Sequence, residues 1–137
     1  MDYIFYRIYL YYKKKEDSPI FTGILFLLIL RACVLFFIVS IINILTGGFL
    51  SNHNPDLKKE YFYTVYGIVL FVFLVLDILR YSKTAKIKEF EIKYHNRKAN
   101  YIIKTWMIFI IPILLFILSI FLSVVFSDHV SGLLIRN

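Results

Sequence analysis

Cysteine is nearly absent from this 137-residue chain. Cys33 is the only one, so no intrachain disulfide can form and no Cys-rich metal pattern exists. Glycine and proline are scarce, at five and three residues, and no low-complexity linker, internal repeat or second domain stands out. Charged residues make up only 18%. Also missing are HExxH, GxSxG, a P-loop and a Gly-rich dinucleotide turn. These absences point away from an enzyme, and nothing in the sequence calls for a cofactor.

What remains is apolar. Hydrophobic residues reach 60% and aromatic ones 19%, against the usual ~45–50% hydrophobic fraction of soluble domains. In water such a chain would expose large apolar patches, so a bilayer is its natural solvent. The longest run, Ile20–Leu45, comfortably exceeds the ~30 Å hydrocarbon core as a helix. It is too long for a signal peptide and no small-x-small site follows it, so it is expected to stay in the mature protein. Ser18-Pro19 marks its start as cap and first helical residue, and Thr46-Gly47-Gly48 its end. Two further spans are expected over Tyr61–Leu79 and Thr105–Phe126. Trp106 belongs at the rim of the third span, and Pro112 inside it is tolerable because neighbouring helices can satisfy the carbonyl it frees.

The flanks set orientation. The amino-terminal segment carries four Lys or Arg residues and the stretch 80–104 eight, against two in the loop 46–60 and one in the tail 127–137. The positive-inside rule then makes the amino terminus cytoplasmic and the carboxy terminus external, in a bacterial inner membrane. Residues 1–19, rich in tyrosine and ending in Lys13, Lys14 and Lys15, suit a short amphipathic helix in the headgroup layer. In the basic stretch, Ile87, Phe90 and Tyr94 recur at helical spacing, as a continuation of the second span would. The expected fold is therefore an all-α integral membrane protein. It has three transmembrane helices, an amino-terminal interfacial helix and a cytoplasmic helical extension of the second span.

Arg31 interrupts the first span about 16 Å from Ile20, near the midplane. Apolar neighbours returning ~0.3–0.6 kcal/mol each outweigh its ~2.5–3.5 kcal/mol insertion cost, but its charge still needs a partner or a route to the rim. Asp77 is the one carboxylate within a span, though it lies closer to the rim and could equally pair with Arg80 at i+3. On a helical wheel Tyr63, Tyr66, Leu70 and Asp77 share a side of the second span, and Ser119, Ser123 and Ser127 stack on the third. These faces are expected to meet around Arg31 as a small polar cluster of Arg31, Tyr66, Asp77, Ser119 and Ser123. Serines at this spacing also simply let helices approach closely. Ser40, 180° round the helix from Arg31, breaks any continuous polar stripe on the first span, which disfavours a pore through one protomer.

His53 and His129 fall near Asp56 and Asp128 outside, but without ligand spacing, so no metal site is expected. Cys33 sits in an apolar setting that leaves a thiol inert. Lys13, Lys14, Lys15, Lys83, Lys86 and Lys88 are expected to meet anionic lipid headgroups. Phe90 and Tyr94, with Ile87 and Ile92, would dock either a protein partner or the chain's own amino-terminal helix. The net charge of +7 belongs to these flanks and implies no nucleic acid. The expected function is a non-enzymatic accessory subunit that binds a protein partner or self-associates. The alternative is a homo-oligomeric pore with Arg31 near its middle.

Overall fold

A computed structural model describes residues 1–45, 59–96 and 98–134. Within them the chain is all-helical: α1 (Asp2–Tyr12), α2 (Pro19–Leu45), α3 (Lys59–Tyr81), α4 (Thr84–Tyr94), α5 (Ala99–Ile102) and α6 (Thr105–Leu134). Three stretches, Pro19–Leu45, Tyr63–Tyr81 and Thr105–Val125, are long and apolar enough to cross a bilayer. The protein is a multi-pass membrane protein. The Gly47-Gly48 stop, the loop with His53 and Asp56, and residues 135–137 lie outside the described residues, as do the side chains of Asp128 and His129.

α2 begins at Pro19, whose fixed φ and missing N–H suit the first helical position; the Thr22 amide then bonds the Ser18 carbonyl at 3.2 Å. Two boundaries differ from the sequence reading. The second span does not extend into the basic stretch, because α3 stops at Tyr81 and Lys83 is extended (φ −81°, ψ 117°) before α4 starts. That break turns α4 so that Ile87, Phe90 and Tyr94 are buried at the bundle's end. At the other end, α6 does not stop near Phe126 but continues to Leu134. Pro112 stays inside it on a buried face, where it gives up one i→i−4 bond.

α2 is the middle of the molecule. α6 runs parallel to it, pairing Phe26 with Phe109 (5.3 Å between ring centres), Phe36 with Phe116 (6.1 Å) and Ser40 with Ser123 (3.3 Å between hydroxyls). α3 runs antiparallel on another side. Among the described residues, the backbones of α3 and α6 do not approach each other closely.

The short α1 bridges that gap by lying across one end of all three spans. Its start meets the end of α3, with Phe5 stacked on Tyr81 at 4.1 Å. Its last turn meets the start of α6, with Tyr11 edge-on to Phe109 at 5.5 Å. Between them Phe5 presses on α2, so closely that a Cβ on Gly23 would lie 2.8 Å from Phe5 Cε2. Phe5, Tyr6, Ile24, Leu27, Tyr81, Phe90 and Tyr94 form one buried cluster, and this is where the core sits. Each aromatic pair in it adds about 0.5–1.5 kcal/mol beyond area burial. The apolar face of α1 is therefore occupied by protein.

Candidate functional site

Arg31 and Asp77 form an ion pair of 2.6 Å, with side chains 16% and 2% exposed. Helix direction explains how two residues at different depths meet. Arg31 lies about 18 Å in from the start of α2, and Asp77 about 6 Å in from the end of α3. Cα–Cβ bonds tilt toward a helix's own amino terminus. On antiparallel helices this aims Arg31 toward the α1 end and Asp77 away from it, so the two side chains converge. The guanidinium also donates to the Phe73 carbonyl at 3.4 Å and lies 4.7 Å from the Phe73 ring centre. Carboxylate, carbonyl and ring together surround the charge.

Tyr66 lies on the same face of α3, about three turns deeper than Asp77, and donates its hydroxyl to the Ala32 carbonyl at 2.7 Å. Three of the five residues expected to cluster, Arg31, Tyr66 and Asp77, therefore share the α2–α3 seam. Ser119 and Ser123 do not join them. Both are on α6, on the other seam of α2, where Ser119 is buried and bonds back to the Leu115 carbonyl at 2.7 Å. Ser123 meets Ser40 instead. The physical reason is that α2 lies between α3 and α6. The 180° separation of Ser40 from Arg31 puts the two on opposite seams.

The expected contact residues also divide. Lys13, Lys14, Lys15, Lys83 and Lys88 are exposed and Lys86 is half-buried. Phe90 and Tyr94 are not available to lipid or to a partner, because both are buried against α1. Tyr94 packs edge-on to Tyr3 at 5.7 Å, and Phe90 edge-on to Phe5 at 6.4 Å. Their neighbour Ile92 is left 87% exposed. Cys33 is half-buried and unbonded, and the described residues hold no group of three His, Cys, Asp or Glu placed for a metal.

Two polar anchors of α1 escaped the sequence reading. Asp2 accepts from Arg80 at 2.8 Å and from the Tyr81 hydroxyl at 2.7 Å. Burial raises its pKa, but the Tyr81 and Arg80 hydrogen bonds and the Arg80 charge outweigh it, leaving the carboxyl below its usual range. Arg7 works on the opposite side. It reaches the Asn100 side chain (3.1 Å), the Ile103 carbonyl (2.9 Å) and the Thr105 hydroxyl (3.0 Å), and so braces the α5–α6 corner. Asn100 in turn donates to the Tyr94 and His95 carbonyls at the end of α4. The only local signals were an acid in the first turn of α1 and a Tyr3–Arg7 pair at i, i+4.

Beside Arg7 is a cavity of about 360 Å³ bordered by Tyr6, His95, Asn100 and Thr105. The buried Tyr6 hydroxyl has no hydrogen-bond partner among the described residues. Burial and then the Glu91 charge push its pKa up, so it stays a protonated phenol. No family model, curated protein or solved structure matches this chain.

Proposed function

We propose that the protein is a non-enzymatic accessory subunit of an inner-membrane complex, acting by lateral association with another membrane protein. In this reading α1 and α4 lie in the cytoplasmic headgroup layer, the amino terminus is cytoplasmic and the carboxy terminus external. Positive-inside counting supports that orientation, since the end of the bundle made by α1, α4 and α5 holds most of the Lys and Arg.

The observation that carries the reading is the open arrangement of the spans. Among the described residues, the backbones of α3 and α6 each come close to α2 and not to one another. The outer face of α3 therefore presents Ile68, Phe71, Val72 and Val75 outward. A three-helix row has faces on which a further span can pack through van der Waals contact. The pore reading needs an Arg31 that lines a path, whereas its guanidinium is held by Asp77 and Phe73.

The test is photo-crosslinking in the native membrane from probes at Ile68, Val72 and Val75, with Ile92 as a control outside the spans. A discrete adduct with one other protein from the α3 probes alone is the expected result. Adducts between copies of this chain alone, together with an ion conductance lost in Arg31→Leu, would replace the subunit with the pore.

A further inference from the structure

A second cavity, of about 590 Å³, opens beside the end of α3 and the start of α4. Water's share of liquid volume is ~30 Å³, so the space holds much more than a phosphate ion and falls within the ~300–1,000 Å³ of small-molecule sites. Arg80, Lys83 and Lys86 line its polar side, and Leu76 and Leu79 its apolar side. The Arg31–Asp77 pair forms its inner wall, and that pair is internally neutral. Arg80 uses one terminal nitrogen on Asp2. Lys83 and Lys86 have no ion-pair partner among the described residues. The positive charge of the cavity is therefore uncompensated.

Two further features point to the ligand. Lys83 and Lys86 are the cap and third residue of α4, so the first turn of that helix borders the cavity. No side chain caps it; the Lys86 amide already donates to the Lys83 carbonyl at 3.0 Å, and the partial positive charge of the helix start adds to that of the lysines. Leu76 and Leu79 are 53% and 64% exposed on the bilayer side of α3. Asp77 lies only about 6 Å from the end of that helix, so the cavity is at headgroup depth. A basic wall at this depth with an apolar wall below it matches one chemistry: a phosphodiester above acyl chains.

We propose that this cavity binds an anionic phospholipid, with Lys83, Lys86 and the first turn of α4 holding the phosphate and Leu76 and Leu79 the acyl chains. The site distinguishes these lysines from Lys13, Lys14 and Lys15, which are exposed, line neither this cavity nor the one beside Arg7, and meet headgroups only through general attraction.

The experiment is native mass spectrometry of the full chain in mild detergent, titrated with phosphatidylglycerol, phosphatidylcholine or inorganic phosphate. One phosphatidylglycerol should be retained in preference to phosphatidylcholine. The pair Lys83→Ala and Lys86→Ala should weaken it roughly 30-fold, from about 1 kcal/mol per lysine. Lys83→Arg with Lys86→Arg should restore it, showing that charge and not a folding defect is read. Removing Lys13, Lys14 and Lys15 together should have little effect. The proposal is overturned if that triple change weakens retention as much as the Lys83/Lys86 pair, or if phosphatidylcholine is held equally. Inorganic phosphate that binds alone with the same lysine dependence and displaces the lipid would make this a free-phosphate site and overturn the lipid assignment.

Discussion

At the residue scale, the Arg31–Asp77 pair behaves asymmetrically when broken. A carboxyl stranded in the seam can take up a proton, whereas a guanidinium cannot shed one. Asp77→Asn should therefore lower stability by about 3–5 kcal/mol, the usual cost of orphaning a buried charge, and Arg31→Leu by less. The double change Arg31→Leu with Asp77→Asn should recover most of the loss, as read by thermal unfolding in detergent. Simple additivity of the two single changes would show that the residues do not act as a pair. Gly23 offers a second test. A methyl there would meet the Phe5 ring at 2.8 Å, and that ring is fixed by its stack on Tyr81. Gly23→Ala should cost about 1–3 kcal/mol, as overpacking does, and adding Phe5→Leu should return part of it.

At the element scale, α1 is anchored at its start by Asp2 and along its opposite side by Arg7. Asp2 has a folded-state pKa below its unfolded one, so its contribution is present at neutral pH. It is lost only as the pH falls below the usual carboxylate range and through the folded value. A spin label near the start of α1 should thus gain mobility in the wild type on acidification well below the usual carboxylate range. In Asp2→Asn it should be mobile already and change little. Equal responses in both would remove Asp2 as the anchor.

The spans were legible because long apolar runs between charged flanks leave few alternatives, and Ser18-Pro19 marked a start that the helix keeps. The meeting of Arg31 with Asp77 was harder to read, because counting depth from the rim ignores the direction in which side chains lean. Ser40 was set aside for lying opposite Arg31, and it is that position which brings it to α6. The break at Ser82–Lys83 was invisible to periodicity, since Ile87, Phe90 and Tyr94 keep helical spacing on either reading. Arg7 counted only as a flank charge. Its partners beyond α1 are more than ninety residues away, out of reach of any local rule.

At the scale of the whole molecule, two outer spans whose backbones stay apart among the described residues are tied through α2 and through α1 lying across their ends. Loosening α1 should loosen the spans from each other. Phe5→Ala removes the centre of the buried cluster, at a cost of about 3–5 kcal/mol for a core aromatic. Spin labels on the exposed Ile78 of α3 and Ile110 of α6 should then give a broader distance distribution, with α2 still inserted. An unchanged distribution would mean that α2 alone sets the positions of α3 and α6.

The crossing position of α1 also orders events in time. Translation delivers α1 before every surface that covers it: α2 follows directly, then α3 and α4, and the corner that receives Arg7, Asn100 to Thr105, arrives close to a hundred residues later. Phe5 and Tyr6 have their buried neighbours once Phe90 and Tyr94 are made, but Arg7 gains its partners beyond α1 only with that corner, so the first helix synthesised is the last to be fully anchored. A chain that ends before Asn100 would keep α2, α3 and α4 but leave the Arg7 side of α1 unanchored and more open to protease. Anchoring of Arg7 then marks the moment when the start of α6 has arrived.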